Sequence, residues 1–282
     1  MNKLKLYNKV CFDSSKTMTN KYSTSFASAI RLLSPSLHTP IHSIYGLVRL
    51  ADEVVDTFHH IPQENILAEL KLDTYKAIDL KFSVNPILQS FQQVVNEYGI
   101  EHNLIEAFFK SMETDLHKSK YNDYNEYSEY IYGSAEVVGL MCLHVFCAGN
   151  KKMIEQLKQP ARALGAAFQK INFLRDLKED YQELNRTYFP GLNFDDFNDG
   201  AKTIILQDIE KDFKEGLKGI MQLPLTARFG VYVAYKYYYS LYNKIKRLPT
   251  KTIKEQRIRI PDYNKVMIIF ESFFRFKLQM IS

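Results

Sequence analysis

The sequence predicts an all-α fold, with residues 1–282 forming a single domain of helices packed around one interior. Apolar residues recur at spacings of three and four, as in Ile41, Ile44 and Val48 of the segment 41–58, which is the spacing of one helix face. Proline and glycine are few and fall between such segments, and strand-like alternation is almost absent. Together these observations indicate about ten helices joined by short loops.

Proline and glycine positions also predict where individual elements begin and end. The predicted helix 41–58 follows the turn-rich stretch LSPSLHTP. Pro160 is expected to interrupt the helical conformation, so that a helix begins after it and runs over 161–180. The longest irregular stretch, 182–200, is predicted to be a binding loop or a lid. The tyrosine-rich stretch YVAYKYYYSLY at 232–242 allows either core packing or membrane contact.

The charge and the cysteine content of the chain indicate which binding partners and which cellular compartment to expect. The net charge of +5 comes from basic residues scattered among acids, so a nucleic-acid partner is not expected, and the basic stretch KEQRIRIP at 254–261 is interpreted as a solvated face. The three cysteines form no CxxC pair, which is typical of a reducing compartment. The apolar run 137–149 is too short to cross a bilayer. We therefore expect a cytoplasmic protein, with peripheral or transient membrane contact as a further expectation.

The segment 41–58 carries a charged stripe on an otherwise apolar helix. Arg49, Asp52, Glu53 and Asp56 fall within about one third of the helix circumference. Taken alone, the stripe is most simply a solvated face with an ion pair from Arg49. The alternative is a helix that turns two aspartates toward an internal polar cavity.

A second stripe of the same kind favours the cavity. Gln169, Asn172, Asp176 and Asp180 lie within an arc of about 80° on the predicted helix 161–180. Like charges four residues apart destabilise an exposed helix by roughly 0.2–0.5 kcal/mol, so a counter-charge is expected between them. Carboxylate and amide oxygens are the ligands that Mg²⁺, or alternatively Mn²⁺, prefers. Two such helices facing each other would hold divalent ions that a diphosphate could bridge.

Both acidic stripes are features of the squalene and phytoene synthase family, which the chain resembles. Within that family it resembles the bacterial phytoene synthases most closely. The resemblance spans most of the chain and is most specific in the second acidic motif. Glu136 departs from the glycine that commonly follows alanine in the family motif. The stretches that carry the resemblance are YSTSF at 22–26, RLADEVVD at 49–56, YIYGSAEVVGLM at 130–141, QKINFLRDLKED at 169–180 and NRTYFP at 185–190.

The resemblance implies an isoprenoid synthase fold with a central cavity and an Mg²⁺-dependent prenyltransferase. The implied reaction is head-to-head condensation of two geranylgeranyl diphosphates to phytoene through a cyclopropyl (prephytoene) diphosphate, the entry step of carotenoid biosynthesis. NADPH is not expected. One alternative is a C30 synthase that joins two farnesyl diphosphates to dehydrosqualene or squalene. The other is a non-catalytic relative that acts as a binding or assembly module, which the completeness of both acidic rows disfavours.

The resemblance also assigns roles to individual residues by position. Tyr130 is expected near the reacting carbons, and two arginines are expected to contact diphosphate oxygens. The expected site residues are the catalytic group Tyr130, Arg49 and Arg175, the substrate-binding group Phe26, Tyr45, Gln169 and Asn172, and the metal ligands Asp52, Asp56, Asn172, Asp176 and Asp180.

Overall fold

The computed structural model describes residues 2–184, 186–192 and 194–277, and over these ranges it confirms the all-α prediction. A π-helical turn joins α7 to α8, and the described residues include no β-strand, only an isolated bridge between Lys120 and Thr187. The domain limits 1–282 stay a prediction. The helices are α1 (Lys3–Tyr22), α2 (Thr24–Ile30), α3 (Pro35–Asp56), α4 (Gln63–Leu80), α5 (Pro86–Tyr98), α6 (His102–His117), α7 (Tyr124–Ile131), the π-turn (Tyr132–Glu136), α8 (Val137–Phe146), α9 (Lys151–Leu184), α10 (Asp199–Gln222), α11 (Leu225–Arg247), α12 (Thr250–Glu255) and α13 (Asp262–Lys277).

The first acidic helix, α3, has different ends from those predicted. It begins at Pro35 rather than at residue 41, because proline at the first helical position needs no hydrogen-bond partner and its φ angle suits a helix. It ends at Asp56, so that the predicted residues 57 and 58 lie outside it. The Gln63 side chain caps this end by donating to the carbonyls of Val54 and Val55 at 2.7 and 2.8 Å.

The second acidic helix, α9, is longer than predicted because Pro160 does not break it. One continuous helix runs from Lys151 to Leu184. Proline removes one backbone hydrogen bond, but its ring fits a gap on α10, where a Cβ atom on Gly219 would lie 2.3 Å from the Cβ of Pro160. Packing along α10 therefore holds the helix together. Since α9 ends at 184 and α10 begins at 199, the predicted irregular segment 182–200 is shorter than expected, and Asn185 and Asn193 within it lie outside the described residues.

Two clusters of buried side chains form the interior. One draws mainly on α3 to α6 and α8, and the other mainly on α7 and α9 to α11. The tyrosine-rich segment 232–242 belongs to the second cluster, because Tyr232, Tyr235 and Tyr242 are buried there. Of the two alternatives left open by the sequence, core packing is therefore the one observed. Within the described part of the chain, no helix combines the length and the apolar character needed to span a bilayer.

Candidate active site

An apolar cavity of about 320 Å³ lies among α2, α3, α8, α9, α10 and α11. Its wall on α9 extends from Leu157 to Asn172, which is about 22 Å along the helix axis. Glycines on α10 leave room beside α9, and Gly216 already stands against Leu164, where a Cβ would lie 3.1 Å from the leucine side chain. The structure therefore provides a long pocket whose wall is almost entirely hydrocarbon.

The four predicted substrate-binding residues meet on the wall of this cavity. Phe26, Tyr45, Gln169 and Asn172 all line it, and the rings of Phe26 and Tyr45 stack with their centroids 5.0 Å apart. Burial raises the pKa of the Tyr45 hydroxyl above its usual value, so this group stays protonated at neutral pH.

Asn172 marks the polar end of the cavity. Its Nδ2 lies 3.5 Å from Oε1 of Gln169, whereas its Oδ1 is buried without any hydrogen-bond partner. A buried carbonyl oxygen without a partner is unfavourable by roughly 1–3 kcal/mol. The lone pairs of this oxygen are thus available to a metal ion, as a metal-binding role requires.

The first acidic row, on α3, is held by Arg49. This arginine pairs with both Asp52 and Glu53, and its guanidinium carbon lies 4.4 Å from the ring centroid of Tyr22. Burial raises the pKa of Asp52 to about 6, and the charge of Asp56 acts in the same direction. The like-charge repulsion predicted from the sequence is therefore present within this row.

In the second acidic row, on α9, two arginines pair with Asp176. Nε of Arg175 and Nε of Arg257 each lie 2.9 Å from Oδ1 of Asp176, and Nη1 of Arg257 lies 2.9 Å from Glu179. Arg257 is 36% exposed, which agrees with the interpretation of 254–261 as a solvated face, yet it also reaches the second acidic row. The reason is a backbone contact, because the amide of Ile258 donates to the carbonyl of Arg175 at 3.2 Å and fixes the segment against α9.

Arg186 lies in the stretch NRTYFP at 185–190, where no role was predicted for it, and it joins the two rows. Its Nη1 lies 2.8 Å from Oδ1 of Asp56 on α3, while its backbone amide donates to the carbonyl of Asp180 on α9 at 2.9 Å. Burial raises the pKa of Asp180 to about 7, with the charges of Asp176 and Asp56 adding to the effect. The carboxylates of α3 and α9 thus act on each other across one shared space.

The residues present in this space fit divalent cations. Among the described residues no three His, Cys, Asp or Glu side chains converge on one point. Asp52, Asp56 and Asp176 each pair with an arginine instead. The predicted ligands are carboxylate oxygens together with the unpartnered Oδ1 of Asn172, the donor set of hard ions. Burial is the main cause of the raised pKa values of Asp52 and Asp180, and neighbouring aspartates raise them further. A bound cation would relieve that repulsion.

Tyr130 lies beside the acidic rows rather than on the wall of the apolar cavity. Its hydroxyl donates to Oδ2 of Asp115 at 2.8 Å, and the ring of Tyr188 is 5.7 Å away between centroids. Arg186 donates to the backbone carbonyl of Asp115 at 3.0 Å, so a chain of contacts links Tyr130 to Asp56. Burial raises the pKa of Asp115 to about 7. No spacing in the sequence connects Asp115 to this site, since the link is made through space.

A wider cleft of about 670 Å³ adjoins the cavity. We call it the basic cleft because four cations line it, Arg175, Arg257, Arg259 and Lys265. The cleft and the cavity share wall residues, namely Phe26, Ala29, Phe168 and Ala234. Tyr238, whose ring stacks on Phe168 with a centroid distance of 4.0 Å, also lines the basic cleft.

Most of the chain is similar to one family of known proteins. The model of the squalene/phytoene synthase family matches residues 19–264. The chain belongs to the squalene/phytoene synthase family. It is a family of prenyltransferase-type enzymes, and its match covers α2 to α12, which include both acidic rows.

Relatives within the squalene/phytoene synthase family share about a quarter of their residues with the chain. Phytoene synthase 1 of Zea mays is 26% identical over 259 residues, which cover 84% of this chain but only 62% of the maize protein. The 4,4'-diapophytoene synthase of Staphylococcus haemolyticus is 24% identical over 192 residues, 68% of this chain and 65% of that protein.

A solved structure confirms the predicted fold. A dehydrosqualene synthase crystallised with a ligand superimposes with a TM-score of 0.81 at 19% identity, over 96% of this chain and 98% of the other. The family member described here therefore has the isoprenoid synthase fold that its sequence predicts.

Proposed function

We propose that this protein catalyses the Mg²⁺-dependent head-to-head condensation of two geranylgeranyl diphosphates to phytoene. The observation that carries the proposal is the junction of two oxygen-rich rows with the polar end of an apolar cavity. Asn172 stands at that junction, since it lines the cavity and continues the row of Asp176 and Asp180. A diphosphate and its prenyl chain need such neighbouring polar and apolar environments.

Diphosphate binding is assigned to the two rows and their arginines. Asp52 and Asp56 on one side, and Asn172, Asp176 and Asp180 on the other, would hold Mg²⁺. When bound, divalent cations would neutralise the diphosphate and so assist its departure. Arg49 and Arg175 would contact diphosphate oxygens directly, since guanidinium groups pair well with phosphate.

The neighbouring aromatic and apolar side chains are proposed to surround the reacting carbons of the substrate. Loss of diphosphate leaves an allylic carbocation, which water would destroy, so an apolar wall protects it. The stacked rings of Phe26 and Tyr45 would stabilise positive charge by roughly 0.5–2 kcal/mol per ring. Tyr130, held by Asp115, is proposed to act close to these carbons, where the first condensation would give a cyclopropyl (prephytoene) diphosphate.

The C20 substrate is the preferred proposal, and the C15 substrate is the alternative. Names of relatives support both, because the maize protein is a phytoene synthase and the staphylococcal protein is a diapophytoene synthase. The long α9 wall of the cavity favours an extended chain. NADPH is not expected to take part, and a cytoplasmic enzyme with transient membrane contact remains the proposed setting.

Incubation of the purified protein with each substrate tests the proposal. The protein is mixed with Mg²⁺ or Mn²⁺ and with C15 or C20 prenyl diphosphate, with and without NADPH, and the hydrocarbon is identified by mass spectrometry. We expect phytoene from the C20 substrate without NADPH. A C30 hydrocarbon from C15 alone would favour the alternative, and a reduced C30 product that needs NADPH would indicate squalene formation. Absence of any condensation product from a folded protein would favour the binding-module alternative.

A further inference from the structure

The π-turn and α8 run antiparallel to α9 along the apolar cavity. A Cβ atom on Gly165 would lie 3.1 Å from the Cα atom of Glu136, and a Cβ atom on Gly139 would lie 3.2 Å from the carbonyl oxygen of Ala161. Residue numbers therefore increase along α8 as they decrease along the facing part of α9. Each step along α8 toward its C-terminal end leads away from Asn172, the polar end of the cavity.

Phe146 lies at the end of the cavity farthest from Asn172. It is about 10 Å beyond Gly139 along α8, whereas Asn172 is about 16 Å from Ala161 in the opposite direction. Side chains on a helix lean toward its N-terminal end. The ring of Phe146 therefore lies back toward Cys142, and both residues line the cavity.

Two buried leucines complete this end of the cavity. Leu157 on α9 and Leu223 at the end of α10 line it and are 2% and 5% exposed. Gly219 of α10 stands beside Pro160 of α9, and Leu223 follows about one helical turn further along, so it is level with Leu157. We call Phe146, Leu157 and Leu223 the floor of the cavity. Phe146 has the largest side chain of the three.

The residues that α8 turns toward the cavity increase in size as they approach the floor. Gly139, Cys142 and Phe146 follow one another at steps of three and four, and all three line the cavity, as expected of one helix face. Cys142 and Phe146 are about one helical turn apart, roughly 5.4 Å, which is close to the length of one isoprene unit. A prenyl chain that lies along α8 would pass the two small residues and end at the ring of Phe146.

From this arrangement we propose that Phe146 limits the length of the prenyl chain that the cavity accepts, and that the small side chain of Cys142 leaves room for the last isoprene unit of a C20 chain. The inference rests on the proposed function, because its ligand is a prenyl diphosphate. A floor residue contacts the far end of the chain and not the diphosphate. Its replacement should therefore change which chain binds and leave the affinity for inorganic pyrophosphate unchanged.

Binding of unreactive substrate analogues tests the inference without turnover. The analogues are C15, C20 and C25 prenyl S-thiolodiphosphates, in which sulfur replaces the oxygen that links the chain to the diphosphate. Each is titrated calorimetrically into the full chain with Mg²⁺, and we expect the natural protein to bind the C20 analogue most tightly. Phe146→Ala should raise the affinity for C25 relative to C20 by at least about tenfold, because the last isoprene unit can then be buried.

A substitution one turn above the floor should have the opposite effect. Cys142→Phe places a ring where the last isoprene unit of the C20 chain would lie, so it should lower the affinity for the C20 analogue by at least about tenfold. The affinity for the C15 analogue should stay close to that of the natural protein, because the shorter chain ends before this position.

Met141 offers a matched control on the same helix. It is 1% exposed and packs in the first cluster of buried side chains rather than on the cavity wall, so Met141→Ala should leave the ratio of C25 to C20 affinity unchanged. Phe146→Leu, a milder change, should give an intermediate ratio. An unchanged ratio in both Phe146 variants, or an equal change in Met141→Ala, would overturn the inference.

The same titrations separate this inference from the proposed function. If the natural protein binds none of the three analogues, the proposed function is wrong and the inference fails with it. If it binds the C20 analogue but the variants of Phe146 and Cys142 keep its chain-length preference, only the role of the floor is wrong.

Discussion

Arg186 and Asp56 form an ion pair of 2.8 Å between groups 130 residues apart in the chain. The arginine follows the second acidic helix and the aspartate ends the first, so the pair joins the two rows that the sequence predicts to face each other. The side chain of Arg186 is only 10% exposed. It also donates to the carbonyl of Asp115, which places it between the acidic rows and Tyr130.

Replacement of Arg186 tests whether this junction matters for activity. Arg186→Gln should lower kcat/KM for the prenyl diphosphate by about ten- to a hundredfold, because charge-assisted hydrogen bonds contribute roughly 1.5–3 kcal/mol. Arg186→Lys keeps the charge but loses the forked geometry, so it should recover only part of the rate. Steady-state kinetics and a thermal melt check this. Wild-type kinetics in Arg186→Gln would contradict a role for the junction.

Asp115 is expected to make the free energy of unfolding of the protein depend on pH. Its pKa is raised to about 7 in the folded protein from an ordinary 3.8, so between these values the folded state binds more protons than the unfolded state. Stability is therefore greatest below pH 4 as far as this group is concerned, and it falls as the pH rises toward 7. Asp115→Asn removes the charge and should raise the free energy of unfolding at pH 8 by up to roughly 4 kcal/mol.

Urea unfolding at several pH values measures this effect. The difference between the natural protein and Asp115→Asn should be small at pH 4 and largest at pH 8. Asp115→Ala serves as the control, because it also removes the hydrogen-bond acceptor of Tyr130. A constant difference across the pH range would show that the carboxyl group is not buried in its charged form.

Asp176 and Glu179 offer a paired test of the second acidic row. Both carboxylates contact Arg257, but only Asp176 belongs to the predicted metal set. Asp176→Ala should abolish turnover while the circular dichroism spectrum stays helical, whereas Glu179→Ala should keep most of it. Near-normal turnover in Asp176→Ala would remove this residue from the metal site.

The length of the cavity can be tested by filling it from α9. Ala161 lines the apolar cavity, whereas Ala163 of the same helix lines a separate polar pocket. Ala161→Phe should lower kcat/KM for the C20 diphosphate more than for the C15 diphosphate, because the ring would obstruct the far part of the pocket. The destabilisation from overpacking should be about 1–3 kcal/mol. Ala163→Phe should leave the ratio of the two substrates unchanged, and an unchanged ratio in Ala161→Phe would contradict this view of the cavity.

The regular spacing of residues predicted those parts of the fold that depend on neighbouring residues in the sequence. The apolar spacing identified α3 and α9, and the arcs of oxygen-bearing side chains on them identified both acidic rows. The ends of the helices depended on contacts that sequence spacing does not show. Pro160 stays inside α9 because Gly219 of another helix makes room for its ring, and α3 stops where Gln63 caps it.

The site was predictable where its residues lie close together on one helix. Asn172, Asp176 and Asp180 follow one another at steps of four, and Gln169 precedes them on the same face. Arg186, Asp115 and Arg257 were not identified, because each reaches the site from a different element and carries no spacing signal. The expected roles of the individual site residues, including that of Tyr130, stay predictions.

The central claim is that the two acidic rows together hold divalent ions and a diphosphate. Isothermal titration of inorganic pyrophosphate, with and without Mg²⁺, measures this directly in the natural protein, in Asp56→Asn, in Asp176→Asn and in the double variant. We predict tight binding only with Mg²⁺, a loss of at least about tenfold in each single variant, and non-additive losses in the double variant, since both rows would share one ligand. Binding that is independent of Mg²⁺, or equally strong in all four proteins, would contradict the account.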